Sequence, residues 1–335
     1  MSRIQVLVVD DSAFMRKALR DLLTTKEIEV IDTARDGREA LVKVRDLEPD
    51  VVTMDIAMPG MDGLKALTQI MAEKPTPVLM LSAMDKKHAD IVIRSLELGA
   101  IDFVSKPSGA ISIDIRDIRD EMISKIKMAA KILIPQKKIR YRPKRTRGDK
   151  EVVTIASSAG GPAALTRLLP ELPEDLDAAI LVAQHMPPTF TSSLAERLST
   201  KSKIVVKEAK NGMPVEKGTA MIGAGGKHMT INSDMRVELI EKGNHYNVSP
   251  SADLLMKSAA SIYGEGVLGV VLTGMGHDGS AGAIAIKMGG GSVIAQDETT
   301  CLVYGMPKAA RDTGCVDEEI PLPYIANTIV RYCNG

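Results

Sequence analysis

Tryptophan is absent from the 335-residue chain, and phenylalanine occurs only three times. Aromatic residues at 3% argue against the stacked rings by which proteins grip single-stranded nucleic acid. Net charge is missing as well, because 43 Lys and Arg balance 43 Asp and Glu. No global field draws the chain to nucleic acid or an anionic membrane, so charge must be read locally. Cysteine is scarce: Cys301, Cys315 and Cys333 are scattered, with no CxxC pair. An odd, scattered set is expected to remain as reduced thiols, which places the chain in the cytoplasm. No apolar run approaches the ~20 residues that a membrane-crossing helix needs. The opening run, MSRIQVLVVDDS, ends at two acids and is too short for a signal peptide. A soluble protein without membrane insertion is expected.

What the chain does contain is an alternation of short apolar runs and amphipathic stretches. In residues 4–134 the strand-like runs are IQVLVV, IEVID, DVVTMD, PVLMLS and IDFVS. Phe14, Ala18 and Leu22 share one face of the helix between the first two. Such alternation predicts a doubly wound, flavodoxin-like α/β domain with a parallel sheet covered on both faces. The pattern stops at QKKIRYRPKRTRGDK, where eight residues are basic and one is acidic. This reads as a solvated linker rather than a contact for DNA or an acidic partner. After Glu151 a second α/β region begins, with VVTIA, AAILVAQ and GVLGVVLTG as buried strands. Residues ~203–245 are shorter-paced and glycine-rich, which predicts a hairpin insertion into a Rossmann-like, mostly parallel sheet. The expected layout is 1–130, a basic linker 131–150, and 151–335.

In the first domain Asp10 and Asp11 end the first strand and Asp55 ends the third. Parallel strands bring these carboxyl ends to one edge, where open α/β sheets bind ligands. Three neighbouring carboxylates repel, and a hard divalent cation such as Mg²⁺ would relieve them. Ser82 and Lys106 end the fourth and fifth strands at the same edge, a hydroxyl and a positive charge for a phosphoryl group on Asp55. VVDDS, DIAMPGMDG, LSA and DFVSKP carry a resemblance to the receiver domain of response regulators over residues 3–125. The resemblance implies that Asp55 accepts a phosphoryl group from a histidine kinase and that Asp10 and Asp11 hold Mg²⁺. It also puts Phe103 at the family's aromatic switch position.

In the second domain VVTIASSAGGPAAL turns sharply from an apolar run into small residues. From this stretch alone an anion cradle, a plain helix cap and a nucleophile's seat all remain open. If a serine reacts, the elbow wants small residues two positions to either side. Ala156 and Gly160 flank Ser158, whereas Ile155 and Ala159 flank Ser157. A base and an orienting acid are then needed. His185 follows one buried strand, and Asp278 follows another in the loop LTGMGHDGSAG. His277, His228 and His245 compete as the base but end no buried core strand in the required order. SSAGGP, QHMPPTFTSSLAERL, LTGMGHDGSAG and AQDETTCLVYGMP together resemble the CheB family of chemotaxis protein-glutamate methylesterases. With the receiver in front, the similarity covers essentially the whole chain.

The resemblance implies Ser158 as nucleophile, His185 as base, Asp278 as its orienting acid and the Met275 N–H in the oxyanion hole. It needs no cofactor at the esterase site. It implies phosphorylation-activated hydrolysis of glutamyl methyl esters on methyl-accepting chemoreceptors, deamidation of receptor glutamines, and a chemotaxis histidine kinase as partner. Nucleic acid is not an expected partner, since nothing in 151–335 reads as a helix-turn-helix. Two departures from the family pattern stand out: Ala156-Ser157-Ser158-Ala159 replaces Gly-Ala-Ser-Thr, and Ser249 stands before PSAD where a basic residue is usual.

Overall fold

The five apolar runs of the first region pair as one parallel sheet. In the computed structural model, which describes residues 3–83, 86–106, 118–132, 148–241 and 248–334, they are β1 (Ile4–Val9), β2 (Ile28–Ala34), β3 (Val51–Asp55), β4 (Val78–Ala83) and β5 (Asp102–Lys106). Their order is β2-β1-β3-β4-β5, every pair parallel, which is the flavodoxin-like doubly wound arrangement. Around them lie α1 (Ala13–Leu23), α2 (Gly37–Leu47), α3 (Gly63–Glu73), α4 (Lys86–Glu97) and α5 (Arg119–Ala129). Every residue of β3 is buried, as a central strand covered on both faces requires.

One face differs from the sequence reading. Phe14, Ala18 and Leu22 do share a side of α1, but the buried residues are Leu19 and Leu23, and Phe14 is 59% exposed. The helix start sets this orientation. Ser12 caps it through Met15 N–H, and the Arg16 guanidinium grips the carbonyls of Asp10 and Asp11 at 2.8 and 3.0 Å. The row Met15, Leu19, Leu23 then faces inward.

The second region holds β6 (Val152–Ser157), β7 (Ala179–Gln184), β8 (Val205–Glu208), β9 (Thr219–Ile222), β10 (Lys227–Ile231), β11 (Val237–Glu241), β12 (Val267–Val271), β13 (Ser292–Gln296) and β14 (Glu318–Ile320). Seven of them form a sheet in the order β14-β13-β12-β6-β7-β9-β8, parallel throughout. The helices are α6 (Gly161–Leu168), α7 (Pro188–Ser199), α8 (Ala252–Tyr263), α9 (Ser280–Met288), α10 (Met306–Asp312) and α11 (Leu322–Cys333). The expected hairpin insertion is smaller than the sequence suggested. Only β10 and β11 form an antiparallel ribbon, while β8 and β9 extend the parallel sheet. β8 lies at the edge of that sheet and buries Val206 but not Val205.

Chain contacts divide the protein into Met1–Ile134 and Pro135–Gly335. The end of the basic run already belongs to the second unit. The N–H groups of Asp149 and Lys150 both donate to Tyr332 O, and the buried Lys150 ammonium donates to Glu265 O at 2.6 Å. Residues 136–147 of the run, and His245, lie outside the described residues. Among the described residues no helix is long and apolar enough to cross a membrane.

The topology marks the sheet edge where a site is expected. From β6 the chain passes to β7 on one side and later returns to β12 on the other. That is a topological switch point, and the carboxyl ends of β12, β6 and β7 stand side by side there.

Candidate active and phosphorylation sites

The serine doublet splits into two unlike residues. Ser157 ends β6, is fully buried, and donates its hydroxyl to Gln184 Oε1 at 2.7 Å. Ser158 lies one step beyond, half-buried, with its N–H on Thr273 O at 3.1 Å and its carbonyl accepting from Gly161 N–H at 2.8 Å. Gly160 follows at φ +75°, a left-handed turn that lets α6 begin immediately, and a Cβ there would lie 2.7 Å from Leu302 Cβ. Gly274 is needed for a different reason: a Cβ at that position would lie 2.8 Å from Ser158 Cβ. Among the described residues Ser158 Oγ has no hydrogen-bond partner, His185 included. In substrate-free hydrolases such contacts are often long and tighten with substrate.

His185 prolongs β7, its N–H donating to Ser157 O at 3.0 Å, which sets it beside the elbow. Its Nε2 meets Asp278 Oδ2 at 2.7 Å, which leaves Nδ1 as the nitrogen able to take a proton. Asp278 in turn sits on the first turn of α8. It accepts from Ala252 N–H at 2.7 Å, Asp253 N–H at 2.9 Å and the Ser251 hydroxyl at 3.1 Å. Burial alone would raise its pKa, but the His185 bond and these amides bring it down to about 2. Asp253 returns the favour, its Oδ1 accepting from Gly279 and Gly282 N–H, at 2.9 and 2.7 Å, at the start of α9. Burial, with the Asp278 charge nearby, raises the Asp253 pKa.

The rival histidines have other surroundings. His228 is buried, and its Nδ1 accepts the Ser251 N–H at 3.1 Å, behind the residue that steadies Asp278. His277 is exposed. Met275, 45% exposed, follows Gly274 in the loop after β12, so its backbone borders the Ser158 elbow. Ala159 carries no hydroxyl, but its carbonyl is held at 3.0 Å by Thr273 Oγ1. Ser249 donates to Lys227 O at 3.2 Å.

Sequence reasoning missed the residues that fasten this edge. Gln184 Nε2 donates to Ser158 O at 3.0 Å and to His185 O at 3.1 Å. On the other flank Gln296 ends β13, accepts from Thr273 N–H at 2.9 Å and donates to Thr300 O at 2.7 Å. Both glutamines are buried. The available signal was a repeated one, an apolar strand closing on an amide in LVAQ and again in VIAQ.

In the first unit, ligand oxygens of Asp10, Asp11 and Asp55 lie within 4.8 Å of one another. Lys106 Nζ stands 2.8 Å from Asp10 Oδ2 and 2.8 Å from Asp55 Oδ2. Burial raises the Asp55 pKa, against the pull of Lys106. Ser82 is buried at the end of β4, one register step before the pairing of Ala83 with Lys106. Phe103 is buried, with Lys125 Nζ 5.4 Å from its ring centre and bonded to its carbonyl at 2.6 Å. A cluster of hard carboxylate oxygens beside a lysine fits Mg²⁺ and a phosphoryl group.

A doubly wound unit with an acidic cluster at its carboxyl edge, followed by a parallel α/β unit with a serine elbow, is the plan of a receiver joined to a hydrolase-like domain. Residues 153–329 match the family model of the CheB methylesterase, and residues 6–115 that of the response regulator receiver domain. Among curated relatives, the protein-glutamate methylesterase/protein-glutamine glutaminase of Pyrococcus horikoshii is 48% identical over 98% of this chain and 93% of its own length. That of Thermotoga maritima is 40% identical, covering 98% of each. The crystal structure of the Thermotoga maritima CheB methylesterase catalytic domain matches with a TM-score of 0.53 at 40% identity, covering 54% of this chain and 97% of that one. The chain belongs to the CheB methylesterase family.

Two outcomes are expected from this geometry. Ser158→Ala should lower the rate of ester hydrolysis by several orders of magnitude, whereas Ser157→Ala should stay within about ten-fold of wild type. A larger loss at Ser157 would reverse the assignment. Asp278, with its folded pKa at about 2 against an ordinary 3.8, contributes stability above 3.8 that is lost as pH falls towards 2. Urea-unfolding midpoints of wild type and Asp278→Asn should therefore converge across that interval. A gap independent of pH would show that Asp278 gains no net charge stabilisation on folding.

Proposed function

We propose that this chain is a phosphorylation-activated chemotaxis methylesterase that hydrolyses glutamate γ-methyl esters on methyl-accepting chemoreceptors and deamidates receptor glutamines at the same site. The observation that carries the reading is the half-buried Ser158 at the elbow, beside the His185–Asp278 pair whose histidine N–H bonds to Ser157 O, in a chain similar along its length to enzymes of that name. Asp278 holds His185 through Nε2, so Nδ1 takes the proton from Ser158 Oγ as that oxygen attacks the γ-carbonyl. The Met275 N–H donates to the oxyanion. The tetrahedral adduct collapses, the C–O bond to the methoxy group breaks, and His185 returns the proton to the departing methanol. Water then gives a proton to His185 and its oxygen to the acyl carbon, releasing glutamate and restoring Ser158. With glutamine the leaving group is ammonia, which is harder to expel, and the reaction is slower.

In the receiver, a chemotaxis histidine kinase supplies the phosphoryl group to Asp55. Asp10, Asp11 and Asp55 would hold Mg²⁺, whose charge offsets that of the anionic donor. Lys106 and Ser82 contact the phosphoryl oxygens. The protein works in the cytoplasm, without a nucleic-acid partner and without inserting into the membrane.

Methanol release from methylated receptors tests the reading. Wild type should release methanol faster after treatment with a small phosphodonor and Mg²⁺, and Ser158→Ala should release none in either condition. Asp55→Asn should hydrolyse at the untreated rate and take up no labelled phosphate. Wild-type labelling of Asp55→Asn would place the phosphorylation elsewhere, and methanol release by Ser158→Ala would refute the nucleophile.

A further inference from the structure

We infer that Gln184 is a positioning residue for hydrolysis, and that Ser157 serves the reaction by holding it. The inference rests on Ser158 and His185 being nucleophile and base. A buried primary amide has two N–H donors and a carbonyl to satisfy, and Gln184, 1% exposed, satisfies all three within this site. Nε2 donates to Ser158 O at 3.0 Å and to His185 O at 3.1 Å, while Oε1 accepts from Ser157 Oγ at 2.7 Å. One nitrogen therefore holds the backbone carbonyls of the two residues that must exchange a proton. The two hydrogens of a planar amide diverge at a fixed angle, so covalent geometry sets the spacing of those carbonyls.

Main-chain pairing alone would not do this. His185 N–H bonds to Ser157 O, which ends the ladder between β6 and β7 one residue short of Ser158. The elbow departs from the sheet at that point, and the amide spans the gap. Its seat is cut to fit: a Cβ at Gly161 would lie 2.0 Å from Gln184 Oε1 and 2.9 Å from Ser157 Cβ. The doublet thus has a division of labour. Ser157 gives the amide its third anchor, on β6 itself, and Ser158 is left to face solvent.

A misplacement of about 1 Å between reacting groups can cost about 100-fold in rate. A residue that only satisfied buried polar groups would, when removed, lower stability and leave the turnover of the folded enzyme alone. The test uses full-length wild type, Gln184→Met, Ser157→Ala, the double variant and Ser158→Ala. Three quantities are measured: kcat and KM for methanol release from methylated receptor, the rate of covalent labelling by a fluorophosphonate, and the urea-unfolding midpoint. Gln184→Met should lower kcat and labelling together by about ten- to 100-fold with KM within about two-fold of wild type. Ser157→Ala should lower both by about two- to five-fold, and the double variant should be no slower than Gln184→Met, because the hydroxyl acts through the amide.

Wild-type kcat and labelling in a folded Gln184→Met, or losses that multiply in the double variant, would overturn the inference. Should Gln184→Met fail to fold, Ser157→Ala decides alone, and wild-type labelling there overturns it. Labelling of Ser158→Ala at the wild-type rate would instead refute the nucleophile, which separates the two failures.

Discussion

Two carboxylates exchange helix ends in the second unit, and the geometry of its site depends on that exchange. Asp278, just before α9, accepts the first amides of α8, while Asp253, inside α8, accepts those at the start of α9. Each acid is stabilised by the positive end of the other's helix. The two helices can approach this closely because a Cβ at Gly282 would lie 2.5 Å from Met256 Cβ. The Asp278 carboxylate is thus fixed before His185 meets it. The imidazole is oriented by an acid that cannot drift, and the bond at Nε2 selects which nitrogen is left for chemistry.

The elbow is held from both sides by the same kind of device. On one flank Gln184 closes β7 and reaches the Ser158 and His185 carbonyls. On the other Gln296 closes β13 and holds Thr273, whose hydroxyl holds Ala159 O. Loop flexibility is removed where two strands stop and the chain must leave the sheet. The receiver solves a different problem at the corresponding edge. It concentrates negative charge around Asp55 and answers it with a single lysine bridging two of the acids.

Much of this was legible in the sequence, for physical reasons. Long apolar runs with two buried faces announce central parallel strands, and β1, β3, β6 and β7 were found within a residue of their ends. Ser158 could be preferred to Ser157 because Ala156 and Gly160 are small. What stayed hidden was whatever depends on partners far along the chain. Nothing local says that Asp253 will meet Gly279, or that Gln184 will reach back to Ser158. Short strands misled the reading too: β8 and β9, four residues each in a glycine-rich stretch, extend the parallel sheet instead of joining the hairpin. On α1, spacing revealed a face but not which face the cap at Ser12 would turn inward.

The order of strands in the second sheet also bears on how the protein comes off the ribosome. β6 is the first strand made and lies in the middle, and its neighbour on one side, β12, is synthesised much later, with Val152 finally pairing with Val267. Until then one flank of the Ser158 elbow has no Thr273 to bond and His185 has no Asp278. Pairing over such separations is slow, and the unfinished sheet exposes an unpaired central strand. A nascent chain that stops short of β12 therefore carries the Ser158 elbow without Thr273 or Asp278, and the arrangement around it is complete only once both have been made.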